Sequence, residues 1–320
     1  MNALLMRFIS TKGSRQGLWM LPLALAILIS LWLGLQTEQF LTANNFFNLI
    51  AQGMPLAITA IGQMFVIVIG GLDLSVGSVI SFTTAILALD GSAWLLVPLV
   101  FILAAMIGAA NGIIITRFNV HPIIATLSMQ YVVLGITRTL RPVSGGSVPE
   151  AVISSVSGTL LGIPAPVFWG LFTALVAWKL LHGSRFGLHL FAIGGGVASG
   201  AEEAAHNFGV RDKRNIVLAY VICSCFAALA GVFLAGRIVS GDPHVGLLFE
   251  LDAITAVAIG GTQLSGGIGS LHGTVFGAIV MALLANGMNL ANVSPYFQTA
   301  IKGGLLLFIV ALQSRKKMGL

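Results

Sequence analysis

The residues best suited to chemistry in this sequence are its few charged side chains, and the largest group of them lies in one central stretch. Residues 181–215 read LHGSRFGLHLFAIGGGVASGAEEAAHNFGVRDKRN, between two very hydrophobic halves. The charged members are Arg185, Glu202, Glu203, Arg211, Asp212, Lys213 and Arg214. Such side chains orient a protein contact, and they form no reaction centre by their spacing. We interpret the stretch as a docking surface for a partner, with an ordinary solvated loop as the alternative.

The familiar catalytic and cofactor patterns are missing from the sequence. A GxxxxGK[ST] phosphate loop needs a Gly-Lys dipeptide, and none occurs. The six histidines and two cysteines do not cluster with metal-ligand spacing. The triplet Gly194-Gly195-Gly196 follows no strand of a βαβ unit, so we expect a flexible loop there and no dinucleotide site. We therefore predict a chain that is not an enzyme and binds no cofactor of its own.

The composition indicates a protein embedded in a membrane. Of 320 residues, 57% are hydrophobic and 8% charged, against about 25% charged in an average soluble domain. Apolar runs near 20 residues recur, which is about the length a helix needs to cross the hydrocarbon layer. The 39 glycines favour closely packed helices over a barrel. The predicted fold class is all-α, a polytopic transmembrane helical bundle.

The runs predict about ten spans, with eight or nine as the alternative. They cover residues 18–35, 49–69, 76–89, 94–116, 123–140, 167–181, 216–236, 251–260, 272–290 and 296–312. Residues 141–166 are rich in Pro, Gly and Ser and are assigned to an external loop. The net charge of +6 fits orientation by basic loops, with both termini cytoplasmic, better than nucleic-acid binding. Four basic residues do not fit this orientation: Arg138, Arg141, Arg237 and Lys302.

A few polar residues interrupt the apolar runs, and they could line a pathway or form structural turns. Asp73 lies in GGLDLSVGS, where it caps a helix beginning at Ser75 or faces a pathway. Glu250 and Asp252 either begin a helix at the outer boundary or form a gate. The asparagines Asn111, Asn286 and Asn289 are suited to bonds between helices or to a hydrated pathway. The pathway candidates are Asp73, Ser75, Asn111, Gln263, Ser265 and Asn286.

The two cysteines, Cys223 and Cys225, are two apart in an apolar run, so on a helix they face different directions. We expect two buried, unpaired thiols.

Short motifs recur in the same order in the two halves of the chain. IGGLDLSVGS begins at Ile69 and IGGTQLSGGIGS at Ile259, Ala-Asn-Gly occurs at 110–112 and 285–287, and NVHP is echoed by NVSP. The intervals differ, since 41 residues separate Gly70 from Asn111 and 26 separate Gly260 from Asn286. A two-half repeat, common among transporters, and chance similarity in apolar sequence both account for the echo.

Four stretches in combination resemble one known family over nearly the whole chain. They are GGLDLSVGS (70–78), HPIIATLSM (121–129), ELDAITAVAIGGTQLSGGIGSLHGT (250–274) and NGMNLANVSPYFQTAIKG (286–303). The chain resembles the membrane subunit of ribose-type sugar importers of the ATP-binding cassette class. The resemblance implies one permease domain over residues 1–320, about ten spans, a bacterial inner-membrane location and surrounding membrane lipid. It also implies a second permease subunit in a homodimer or heterodimer, a cytoplasmic ATPase that holds ATP and Mg, and a periplasmic or extracellular sugar-binding protein.

In that family the ATPase is coupled through a cytoplasmic segment, which corresponds here to residues 182–215. The family pattern runs Gly-Gly-Asn, two residues, Ala-Ala and then Gly-Ile. Here Gly196 replaces the Asn and about five residues are inserted, while Ala204, Ala205, Gly209 and Val210 match. The resemblance assigns coupling to Glu203, Ala204, Ala205, Gly209 and Arg211, and residues 202–209 read as a short amphipathic helix.

The resemblance implies alternating access, with ATP closing two cassettes and the coupling segment moving with them. Two alternatives follow from the residues. An ion-coupled secondary transporter needs an ionisable group in the membrane, for which Asp73 is the obvious candidate, and a passive channel needs no ATP.

Overall fold

The computed structural model describes residues 20–160, 162–199, 209 and 211–312, and these residues form twelve α-helices. They are α1 (Met20–Gln36), α2 (Ala43–Val68), α3 (Val76–Leu87), α4 (Ala93–Phe118), α5 (Pro122–Leu140), α6 (Glu150–Ser157), α7 (Ala165–His182), α8 (Arg185–Ser199), α9 (Asp212–Ile238), α10 (Phe249–Ile259), α11 (Leu271–Leu290) and α12 (Pro295–Leu312). A short 3₁₀ helix, Glu38–Leu41, follows α1, and a hairpin of β1 (Thr159–Leu160) and β2 (Ile163–Pro164) precedes α7. The predicted all-α membrane bundle is confirmed.

Seven of the described helices, α2, α4, α5, α7, α9, α11 and α12, are long and apolar enough to cross a membrane. The predicted runs 76–89 and 251–260 correspond to the helices α3 and α10. These helices are short, with 12 residues in α3 and 11 in α10. At 1.5 Å per residue they are about 18 and 17 Å long, which is roughly half of a 30 Å hydrocarbon layer. Periodicity and hydropathy alone do not distinguish such half-length helices from full spans.

Helix α9 lies at the centre of the bundle, where small residues let other helices approach its backbone. A Cβ at Gly108 of α4 would lie 2.5 Å from the carbonyl oxygen of Tyr220, and one at Gly112 would lie 2.6 Å from the Cα of Val217. On another side, a Cβ at Gly231 of α9 would lie 2.6 Å from the Cβ of Thr83 on α3. These glycines permit the close packing by which helices associate in lipid.

Two non-helical segments interrupt the bundle, and we name them the first break (residues 69–75) and the second break (residues 260–270). The helices before them end in the same way, because Gly70 and Gly261 both have φ of +81°. In each, two consecutive N–H groups bond back to carbonyls three and five residues earlier, at 2.9–3.3 Å. Glycine is favoured at such helix ends because a left-handed backbone conformation strains other residues.

The connection between α9 and α10 runs back along α3. The N–H of Asp242 donates to Oγ1 of Thr84 at 3.1 Å, and the N–H of Gly246 donates to Oγ of Ser81 at 2.9 Å. Thr84 lies in the second half of α3 and Ser81 in its middle, so the connection runs from the end of that helix towards its start. Side chains of α3 thereby satisfy irregular backbone that lipid could not.

The basic residue Lys302, which did not fit the predicted orientation, has a partner within the bundle. Its Nζ on α12 lies 2.6 Å from Oδ2 of Asp252 on α10, and both side chains are largely buried. We expect Lys302→Met to lower the free energy of unfolding by about 1–3 kcal/mol, because the Asp252 carboxylate then lacks its counter-charge.

Thermal unfolding of the detergent-solubilised chain measures this effect. The double variant Lys302→Met with Asp252→Leu is the control, and it is expected to recover most of the loss. Equal destabilisation by the single and double variants would contradict the ion-pair explanation.

Candidate functional site

A buried polar network lies beside the first break and begins at Asp73. Oδ1 of Asp73 accepts the backbone N–H of Ser75 at 2.9 Å and its hydroxyl at 2.6 Å. The same Ser75 hydroxyl accepts a hydrogen bond from Nδ2 of Asn111 on α4, at 2.9 Å. All three residues are completely buried. Three of the six predicted pathway residues are therefore brought together, and they connect the first break to α4.

Helices α2 and α9 complete the surroundings of this network. The amide of Gln63 on α2 can pair with the Asp73 backbone, donating to its carbonyl oxygen at 3.2 Å and accepting its N–H at 3.0 Å. The Sγ of Cys223 on α9 lies 3.4 Å from the same amide, and a Cβ at Gly71 would lie 2.5 Å from the hydroxyl of Tyr220. Gln63, Tyr220 and Cys223 were not predicted as site residues, because each lies inside an apolar run that gives no signal beyond helix packing.

Several buried polar atoms around the network have no hydrogen-bond partner among the described residues. They are Oδ2 of Asp73, Oδ1 of Asn111 and Oη of Tyr220. No Lys, Arg or His of the described residues makes an ion pair with Asp73. A buried polar atom without a partner is costly, so these atoms set the network apart from the apolar packing around it.

Helix α8 packs directly against both breaks. A Cβ at Gly194 would overlap the carbonyl oxygen of Val68 and would lie 2.5 Å from the amide nitrogen of Gly267. Gly267 also donates its N–H to that carbonyl at 2.8 Å, which ties the second break to the end of α2. The expected flexible loop at Gly194-Gly195-Gly196 is wrong, because all three residues lie in α8. Because Gly194 has no side chain, the backbone of α8 can approach the backbones of Val68 and Gly267 closely.

The remaining predicted pathway residues lie elsewhere. Gln263 and Ser265 are exposed in the second break. Asn286 on α11 exchanges two hydrogen bonds with Asn45 at the start of α2, at 2.9 and 3.2 Å. The six candidate residues therefore lie in three places, and only the contact between Asp73 and Ser75 followed from their spacing in the sequence.

The acidic residues of α10 occupy its first turn, as expected for a helix start. Oε1 of Glu250 accepts a hydrogen bond from Nε2 of Gln130 on α5 at 3.2 Å. A Cβ at Gly77 would overlap the other Glu250 oxygen. Glu250 therefore packs against the first turn of α3 at Gly77, two residues after Ser75 of the polar network.

Of the predicted coupling residues, Glu203, Ala204 and Ala205 lie outside the described residues, as does most of the expected helix 202–209. Gly209 has φ of +77°, and Arg211 is exposed just before α9.

Both cysteines on α9 are free thiols, Cys223 buried as predicted and Cys225 only partly buried.

The helices, with two breaks between them and a buried polar network at one break, define a polytopic helical membrane protein. The chain belongs to the permease family described as "Branched-chain amino acid transport system / permease component", whose model matches residues 45–310.

Three relatives of the chain carry the names of sugar permeases. The chain is 36% identical to the ribose import permease protein of Escherichia coli (strain K12), over 92% of this chain and 93% of the relative. It is 32% identical to the D-allose transport system permease protein of the same organism, over 90% and 89%. It is also 32% identical to the galactose/methyl galactoside import permease protein of that organism, over 99% and 98%. No solved structure matches the chain.

Proposed function

We propose that this chain is the permease subunit of an ATP-binding cassette importer that carries a sugar across the bacterial inner membrane. The observation that carries the proposal is similarity over about nine tenths of the chain to permeases named for ribose, allose and galactose. These names favour a monosaccharide over the branched-chain amino acids of the family description.

The proposed assembly places the energy source on another subunit. A cytoplasmic ATPase binds ATP and Mg, a periplasmic or extracellular binding protein delivers the sugar, and a second permease subunit completes the membrane part. Residues 1–320 form one permease domain surrounded by lipid, with no cofactor of its own and no nucleic-acid partner. The segment 182–215 faces the cytoplasm, as do both termini. This orientation is supported by Arg185, Arg211, Lys213 and Arg214 in that segment.

We propose about ten crossings, in which α3 and α10 each cross about half of the membrane. A two-half repeat is supported by the matching helix ends before the two breaks. It is supported further by Asn119 and Asn292, which have φ of 51° and 53° and each stand three residues before a helix-starting proline.

In the proposed mechanism, α8 transmits movement of the ATPase to both breaks. Because Gly194 contacts Val68 and Gly267 together, a displacement of α8 shifts residues 68–75 and 260–270 at the same time. The network of Asp73, Ser75 and Asn111 passes that shift to α4 and offers polar contacts to the passing sugar. The coupling residues Glu203, Ala204, Ala205, Gly209 and Arg211 meet the ATPase.

An ion-coupled secondary transporter is the second candidate, because Asp73 is a buried carboxyl with one unpartnered oxygen. Uptake of labelled sugar into vesicles distinguishes the candidates. The proposal predicts uptake only with the ATPase, the binding protein and ATP together. Uptake driven by a proton or sodium gradient without ATP would instead support the second candidate, and uptake by the chain alone would identify a passive channel.

A further inference from the structure

A second feature of the coupling segment is a pocket that shares Gly209 and Arg211 with the proposed ATPase contact but extends beyond it to Arg214 and an apolar wall. It has a volume of about 460 Å³ and lies between the end of α7, the start of α8 and the start of α9. Its polar lining residues are Ser184, His189, Arg211, Arg214 and Asn215. The pocket therefore adjoins the point where two membrane-crossing helices, α7 and α9, reach the same end of the bundle.

The polar side of the pocket is suited to an anion. Arg211 and Arg214 are exposed, and neither makes an ion pair with any described residue. Asn215 lies 3.3 Å from Nδ1 of His189, so the side chains of α8 and α9 meet across the pocket. Arginine presents a planar fork of donors that matches phosphate oxygens.

The other side of the pocket is apolar. Leu180 of α7, Phe186 of α8, and Leu218 and Ile222 of α9 line it. Leu218 lies one turn further along α9 than Arg214, and 37% of its surface is exposed. The same pocket thus offers charge at one end and an exposed apolar wall along helices that enter the membrane.

We propose that this pocket binds an anionic phospholipid, with Arg211 and Arg214 holding the phosphate of the headgroup and the wall at Leu218 and Ile222 contacting an acyl chain. Basic pockets between membrane helices bind such headgroups at cytoplasmic surfaces. A free phosphate or an acidic segment of a partner protein would use the arginines and leave the apolar wall exposed. The lipid uses both sides.

Native mass spectrometry of the full chain tests the proposal without the ATPase or the sugar. The chain is taken from vesicles that contain equal amounts of phosphatidylglycerol and phosphatidylcholine, and retained lipid is measured. Arg214→Gln is expected to weaken phosphatidylglycerol binding about fivefold, since one basic residue near the surface contributes about 1 kcal/mol. Arg214→Lys keeps the charge but not the planar fork, so it is expected to bind phosphatidylglycerol more tightly than Arg214→Gln and less tightly than the unmodified chain.

The matched control is Lys213→Gln, which removes a charge from the same turn of α9 at a residue that does not line the pocket. It is expected to leave phosphatidylglycerol binding within about twofold of the unmodified chain, since only the general surface charge changes. Equal loss in the two variants, or equal retention of phosphatidylcholine, would overturn the proposal. Complete displacement by glycerol phosphate would assign the site to a free phosphate and also overturn it.

An acidic partner segment has a different signature. Unchanged lipid binding in Arg214→Gln, together with weaker co-purification of the ATPase, would assign the arginine to that contact and refute the lipid site. A failure of ATP-driven sugar uptake has no bearing on the lipid measurement, so the two proposals fail independently.

Discussion

Replacing Gly194 with alanine is expected to lower ATP-dependent sugar uptake about tenfold or more while the chain still inserts into the membrane. The added methyl group would overlap the Val68 carbonyl and crowd the Gly267 amide. Overpacking of this kind costs about 1–3 kcal/mol, and α8 relieves it by moving away from both breaks. Uptake into vesicles that contain the full complex measures the effect.

The neighbouring residue provides the control for this substitution. A Cβ at Gly195 would meet no atom of the described residues within 4 Å, so Gly195→Ala keeps the contact between α8 and the breaks and is expected to leave uptake near the unmodified rate. Both variants add one methyl group at successive positions of the same helix. Equal uptake by the two variants would show that the contact of α8 with the breaks is not part of the transport mechanism.

Replacing Asp73 with alanine is expected to lower the free energy of unfolding by about 2–4 kcal/mol, because two buried donors of Ser75 lose their acceptor. Asp73→Asn retains one oxygen at the same distance and is expected to cost about 1 kcal/mol. Thermal unfolding of the solubilised chain, followed by the change in its helical signal, measures both variants.

Uptake by the Asp73→Asn variant separates a structural role from ion coupling. The proposed importer retains ATP-dependent uptake in this variant, because the amide oxygen still accepts from Ser75. A transporter that binds a proton or sodium ion at Asp73 would lose gradient-driven uptake. Equal stability of the alanine and asparagine variants would contradict the account of the network as a set of hydrogen bonds that hold the first break.

Much of the fold could be predicted because long apolar runs in a sequence indicate membrane helices. The helix α9, for example, extends the predicted run 216–236 by four residues at one end and two at the other. The half-length helices α3 and α10 could not be recognised as such, since glycine-rich neighbours and the protein around them determine where helices end. The ion pair of Lys302 could not be predicted, because its partner Asp252 is 50 residues away in sequence.

The candidate site was predictable only where its residues are close in sequence. Asp73 and Ser75 are two residues apart, so their interaction followed from the capping preference of aspartate. Asn111 joins them from another helix, whereas Asn286, an identical residue type in a similar motif, pairs with Asn45 instead. Gly194 was misassigned to a loop because a glycine required for close packing has the same sequence signal as one in a flexible segment.

If the ATPase drives this permease from the cytoplasm through α8, then α8 lies on the cytoplasmic side of the membrane. Gly195→Cys places a thiol on an exposed position of that helix, and a membrane-impermeant maleimide reports its side, with the unmodified chain as the background for Cys223 and Cys225. We predict labelling in inside-out vesicles and none above background in intact cells. Labelling of Gly195→Cys in intact cells would contradict the account.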